Sequence, residues 1–357
     1  MTETMFTYIK EEYITNKNIL KNRKKNLNDF LELAKNKKYN RWIVLATGSS
    51  ANAIECAKYY VEELLNINIE IKMPSVFSNY NYNIEKDALY IGVTQGGHSF
   101  STIEALKETN KYNVDTIAIT ANLNSPICKL SKSVVDIDCG DEKVGYVTKG
   151  FSATILTFIL MGLELAYEYK IINQLEYEEK LNQLINAINH TEKVIQKTLK
   201  WYEANKNELI DAKIILCIGN GPGYGVSKEA NTKITETVRV PMSAHEVEEY
   251  MHGPYLALSQ DDNIIFIETK SKLQKRQNDL KEYLKDYTSH IYTITYKDFS
   301  DNHHDLALGL EIDEMISPLL FIIPIQILSY YLAEDKGNNL SKMIFKDFDD
   351  KLKSKIY

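Results

Sequence analysis

Two stretches of the chain repeat one hydrophobic pattern. From residue 42, WIVLATGSSANAIECAKYYVEELL gives an apolar run of strand type, a Gly-Ser turn and then apolar residues at helical spacing. From residue 213, KIILCIGNGPGYGVSKEANTKITETV repeats that order. Each is followed by a second strand pattern, ALYIGVT at 88–94 and NIIFIET at 263–269, a polar helix, and a third, DTIAITA at 115–121 and HIYTITY at 290–296. Short apolar strands alternating with helices predict parallel sheets covered on both faces. The offset of 173 residues between Gly48 and Gly221 predicts two similar domains in tandem. The expected organisation is a helical lead-in over 1–38, a first domain over 39–175, a helical linker over 176–211, and a second domain with a C-terminal tail over 212–357.

Two other apolar stretches, Phe151 to Ala166 and Met315 to Ala333, test for membrane spans. The first is short and carries Glu164; the second holds Pro318, Pro324 and Gln326, so both read as buried helices. A length of 357 residues suits two domains, and 44% hydrophobic with 25% charged residues is an ordinary globular balance. The formal charge of -7 argues against nucleic acid as the main partner, because neutralising phosphates needs a basic face. Cys56, Cys128, Cys139 and Cys217 are scattered and form no C-x-x-C, which predicts reduced core residues and a cytoplasmic setting. The N-terminus lacks a basic start followed by an apolar run, so no signal peptide is expected.

In open parallel sheets ligands bind at the carboxyl ends of strands, where loop amides and helix N-termini face outward. The loops there are 47-TGSSAN-52 and 94-TQGGHSFST-102, dense in hydroxyls and glycine and each preceding a helix. Their amides and hydroxyls could surround a phosphate without any lysine; the same residues also serve as helix caps. The glycines of 219-GNGPGYG-225 do not complete a dinucleotide fingerprint, since Tyr224 stands where a glycine is required.

If 226–238 is a helix, Glu229, Lys233 and Glu236 share one face at i, i+4 and i+7. Such a stripe reads either as a solvated ion-pair surface or as a set of acid/base groups beside a ligand loop. Val226, Ile234 and Val238 are too few to bury the helix all round. His252, in MHGP, adds a group that titrates near neutrality, or else serves as a turn residue.

These pieces together resemble the sugar isomerase (SIS) family, in particular the isomerase half of glucosamine-6-phosphate synthase and stand-alone phosphosugar isomerases, deaminases and deglycases. TGSSAN matches the first phosphate loop, TQGGHSFST the S-Q-S-G-E-T loop, and VTKGF the S-T-K-A-F segment. EANTKITE matches the E-G-x-x-K-x-K-E helix, followed by HGP and by 339-NLSK-342. The resemblance implies two tandem three-layer α/β/α SIS domains, flavodoxin-like, with mostly parallel sheets. It implies a sugar phosphate held by Ser49, Ser50, Thr94, Gln95, Gly96 and Ser99, with Glu229 also near the substrate. It assigns proton transfer between C1 and C2 to Glu236, with Lys233 beside it, and ring opening to His252, which in the synthase comes from a neighbouring subunit. Lys342 corresponds to the lysine that forms a Schiff base with the ketose.

That chemistry requires no metal and no cofactor. The expected partners are a small sugar phosphate and a second copy of the chain in a homodimer with a shared site, with neither nucleic acid nor membrane. The chain departs from the family pattern at Gly96, His98 and Val147, where a looser cradle or a different sugar is expected. No segment corresponds to the glutaminase half, which argues against glutamine-dependent amide transfer. The leading expectation is a phosphosugar isomerase, with or without deamination. Its rivals are a fructosamine-6-phosphate deglycase and, from another class, a catalytically silent sugar-phosphate sensor.

Overall fold

All the strand runs named above form strands in the computed structural model, which describes residues 3–80, 83–342 and 344–356. The strands are β1 (Arg41–Leu45), β2 (Asn68–Lys72), β3 (Leu89–Val93), β4 (Asp115–Thr120) and β5 (Ser133–Asp136). A second set follows as β6 (Ile215–Gly219), β7 (Met242–Glu246), β8 (Asn263–Glu268), β9 (Ile291–Thr295) and β10 (Asp305–Ala307). They make two sheets of order β2-β1-β3-β4-β5 and β10-β9-β8-β6-β7, with every pairing parallel. The central strands are buried throughout, which is why their sequences are runs rather than alternations. The sheet-edge strands β2, β5, β7 and β10 escaped the hydrophobic pattern because they are short and mix polar with apolar residues: NIEIK, SVVD, MSAHE and DLA.

Contacts group the chain into two compact units. One comprises Ile14–Glu142, Lys149–Asn182 and Met343–Tyr357 and carries the first sheet. Its core is built on Trp42, which meets Phe30 and Phe158 edge-on at 5.9 and 5.7 Å. The apolar helix Lys149–Glu168 is long enough to cross a membrane, yet 94% of its apolar window is buried. Within it the buried Glu164 accepts hydrogen bonds from Arg23 at 2.8 Å and the Tyr177 hydroxyl at 2.5 Å.

The other unit comprises Met1–Tyr13, Lys143–Thr148 and Gln183–Lys342 and carries the second sheet. Here the second apolar stretch is the buried helix Pro318–Asp335, packed on the helices Pro222–Thr237 and Thr191–Asp211. The stretch expected as a linker consists of two helices, Gln174–Asn189 and Thr191–Asp211. All four cysteines are free; Cys56, Cys139 and Cys217 are buried and Cys128 is partly exposed.

Candidate active site

In the first sheet the chain leaves β1 toward β2 on one side and returns to β3 on the other. The loops after β1 and β3 therefore flank the point where the winding direction reverses, the usual ligand crevice of such sheets. These are the two hydroxyl-rich loops. Ser49 and Ser50 lie half-buried in the first turn of the helix Gly48–Leu65, and Thr94 is buried directly after β3. Ser99 is the N-cap of the helix Phe100–Asn110. Neither Thr47 nor Ser99, the two N-cap residues, makes a side-chain cap hydrogen bond, so capping does not account for these two hydroxyls. The Ser99 hydroxyl instead receives the Thr102 hydroxyl at 3.1 Å.

The remaining loop residues are held from beneath. Gln95 directs its amide to the Glu142 carboxylate at 2.6 Å, and its carbonyl accepts from Ala121 N and the Thr120 hydroxyl, both at 2.9 Å. Gly96 is exposed, with open space where a side chain would begin. Its neighbour Gly97 is the position that demands glycine: φ is +73°, and a Cβ there would lie 1.9 Å from the Ser125 hydroxyl. Burial, with the Glu142 charge adding to it, pushes the nearby Cys139 thiol up to about 12, so it stays protonated at neutral pH.

The chain end also reaches this loop, which no sequence pattern announced. Ile356 N donates to the His98 carbonyl at 2.9 Å, Phe100 N donates to the Ser354 carbonyl at 3.0 Å, and Ser99 and Lys355 form an antiparallel bridge. His98 Nδ1 completes the pairing with the Ile356 carbonyl at 2.5 Å. The departure at His98 thus has a local use: the imidazole anchors the tail on the loop.

In the second unit the ionisable stripe lies on the helix Pro222–Thr237, which starts four residues earlier than the sequence pattern indicated. Close approach makes it a buried helix. A Cβ on Gly219 would come within 2.6 Å of the Gly223 carbonyl, so the strand and the helix touch backbone to backbone. A Cβ on Gly223 would stand 3.2 Å from Ile267 Cγ2, and Glu229 and Lys233 are 0% and 1% exposed. This corrects the expectation that too few apolar residues were present to enclose the helix: the enclosing surface comes from its neighbours.

Lys233 Nζ lies 3.2 Å from Glu229 Oε1 and 2.5 Å from Glu236 Oε1. Burial works against the lysine's charge, but the two carboxylates outweigh it and hold its pKa above the ordinary value. Glu236 keeps about a third of its side chain (34%) exposed. Desolvation raises its pKa, Lys233 opposes that rise, and Glu229 adds to it. The result is one accessible carboxyl, poised higher than usual, over a buried lysine whose charge is fixed.

His252 is exposed at the end of the short helix Val247–Met251, and Gly253 follows it with φ of +140°. Lys342 is exposed after a turn in which Asn339 Oδ1 accepts from Ser341 N at 2.9 Å and from the Ser341 hydroxyl at 2.7 Å. That turn is tied to the Glu236 helix by a residue the sequence reading missed. Asn338 donates to the carbonyls of Thr237 and Val238 at 3.1 and 2.8 Å, capping the helix just past Glu236.

The second sheet has a winding reversal of its own, between β6 and β8. It carries an acid beside its hydroxyl. Glu314 Oε1 accepts from the Thr269 hydroxyl at 3.3 Å and lies 3.3 Å from where a Cβ on Gly221 would be. A carboxylate already stands at this helix N-terminus, so a phosphate would meet like charge there.

Comparison with known proteins accords with this geometry. The SIS domain family matches residues 35–163 and 208–333. A Clostridium tetani glutamine–fructose-6-phosphate aminotransferase (isomerizing) is 26% identical over 323 residues, covering 88% of this chain and 52% of its own length. The chain therefore spans about half the length of the curated relatives it matches. Among solved structures, a Clostridium difficile protein proposed to be a phosphosugar isomerase superposes with a TM-score of 0.90 at 28% identity, covering 98% of both chains. The C-terminal domain of the Francisella tularensis glucosamine-fructose-6-phosphate aminotransferase shares the fold, with a TM-score of 0.84 at 18% identity over 96% of this chain and 98% of its own. With a duplicated parallel sheet and matches in both halves, the chain belongs to the SIS domain family.

Proposed function

We propose that the protein is a phosphosugar isomerase, an enzyme that interconverts the aldose and ketose forms of a sugar phosphate or amino-sugar phosphate. The observation that carries this reading is Glu236, a partly exposed carboxyl of raised pKa hydrogen-bonded to a buried lysine. In the forward step the Glu236 carboxylate takes the proton from C2 of the open-chain aldose. The electron pair becomes the C1–C2 double bond of an enediol as the carbonyl oxygen is protonated. Returning a proton to C1 while C2 becomes the carbonyl gives the ketose. Lys233 limits the build-up of negative charge. The hydroxyls and amides of the β1 and β3 loops hold the phosphate.

Lys342 supports the imine-forming branch of this chemistry, in which its amine condenses with the ketose carbonyl and releases water. Its turn is bonded through Asn338 to the Glu236 helix, an arrangement that favours isomerisation, with or without deamination, over a deglycase whose substrate already carries an amine. His252 would act in ring opening, and its exposure leaves it available to a second copy in a homodimer.

The test is a panel of hexose 6-phosphates, hexosamine 6-phosphates and fructosamine 6-phosphates, scored by thermal shift and then by product analysis. Interconversion of an aldose and ketose phosphate is the expected result. Stabilisation by a ligand that undergoes no turnover and no exchange of its C1 or C2 hydrogens with solvent would favour the sensor instead.

A further inference from the structure

Three of the chain's seven histidines converge on one carboxylate far from the groups used above in sequence. We propose that Glu208, His290, His303 and His304 bind one divalent transition-metal ion of the zinc type. Glu208 Oε2 is the centre of the cluster. It lies 3.1 Å from His304 Nε2 and 3.7 Å from His290 Nδ1, and the ligand atoms of Glu208, His303 and His304 all fall within 4.8 Å of one another. Bonds of about 2.0–2.1 Å from a tetrahedral ion to nitrogen and oxygen put ligand atoms roughly 3.3 Å apart, so small side-chain rotations close the set. Imidazole nitrogens with one carboxylate are donors that suit zinc and its neighbours rather than magnesium or calcium.

The fold explains why these residues meet. Parallel pairing sets Asp305 opposite Thr293, so His304 and His303, just before β10, lie beside the start of β9, which His290 precedes. All three histidines thus stand at the amino-terminal edge of the sheet, the opposite end from the loops that bear ligand in this fold class. Glu208 comes from the helix Thr191–Asp211, and the same face of that helix grips the histidine loop. Trp201 Nε1 donates to the His304 carbonyl at 3.0 Å, and Asn205 Nδ2 donates to the His303 carbonyl at 3.1 Å. Trp201, Asn205 and Glu208 are spaced as neighbours on one helix face. Such backbone clamps hold ligands in place before an ion arrives.

His304 is 9% exposed, so most of its ring is already out of solvent. His290 Nδ1 is shielded from solvent and has no hydrogen-bond partner among the described residues. An ion here would link a helix to two strand starts, which makes its role structural.

The experiment uses the full chain, freed of metal with a chelator and then titrated with Zn²⁺ by calorimetry and with Co²⁺ by visible absorption. Expected are one equivalent bound, a raised thermal midpoint with Zn²⁺, and an intense tetrahedral-type Co²⁺ band. His303→Gln, at an exposed position, should weaken binding at least about tenfold, as even the loss of an outer partner does. His304→Ala and Glu208→Gln should do so further. His190→Ala removes a histidine whose Nδ1 only meets the Asn186 carbonyl of its own helix, and should change nothing. No stoichiometric binding, a weak octahedral Co²⁺ spectrum, or equal affinity in His303→Gln overturns the site. None of these readouts depends on sugar turnover, so the proposal stands or falls apart from the isomerase reading.

Discussion

Glu236 and Lys233 show how much one helix turn decides. If Glu236 is the base, Glu236→Gln keeps the side chain's size but lowers turnover by roughly 100-fold or more, the scale of a general base, while sugar-phosphate binding is retained. Wild-type kcat should fall as pH drops through a pKa above the ordinary glutamate value of 4.5, because the carboxylate must be ionised to take a proton and its pKa is raised. Solvent deuterium entering C1 or C2 at the wild-type rate in Glu236→Gln would remove the role. Lys233 predicts a different quantity. Lys233→Met leaves the fully buried Glu229 without its cation, which costs about 3–5 kcal/mol, readable by urea unfolding. Adding Glu229→Gln should recover most of that loss. A cost near the ~0.5 kcal/mol of an exposed i,i+4 pair would contradict the burial. The spacing of the stripe is legible in the sequence, but its burial is not, since that depends on how closely Gly219 lets strand and helix approach.

Among elements, the C-terminal tail has the clearest testable role. Two backbone hydrogen bonds and the His98 anchor tie residues 354–356 to the loop bearing Ser99. At about 1 kcal/mol net each, their loss should loosen the loop. A chain shortened to end at residue 353 should therefore show faster amide exchange at Phe100 and a KM for the phosphorylated substrate raised several-fold, with kcat changed less. Unchanged exchange at Phe100 would mean the tail does not stay paired in solution. Nothing in DKLKSKIY announces this pairing: a three-residue bridge is too short to carry an alternating pattern, and its partner lies about 250 residues away in sequence.

At the scale of the molecule, duplication has produced two winding reversals with opposite chemistry. Hydroxyls without cap bonds stand at the first, and Glu314 stands at the second. Phosphorylated sugars should therefore raise the thermal midpoint where their unphosphorylated parents do not. Thr94→Ala combined with Ser99→Ala should abolish that shift, whereas Thr269→Ala at the second reversal should leave it intact. Equal shifts from fructose and fructose 6-phosphate would refute the cradle. A shift lost in Thr269→Ala but kept in Thr94→Ala with Ser99→Ala would move the phosphate to the other sheet.

The sequence by itself determined the two parallel sheets, their tandem repetition and the loops at the strand ends. Each of these follows from the spacing of apolar residues over a few turns or strands. It also placed Glu229, Lys233 and Glu236 on one face, because helical spacing is a local property. Only the tertiary structure decided that this face is buried, that Asn338 caps the Glu236 helix and that Glu314 faces the second reversal. The meeting of Glu208 with three histidines and the pairing of the tail with His98 belong to the same class. Each joins groups remote in sequence, and their closeness comes from strand order and register, which no run of neighbouring residues encodes.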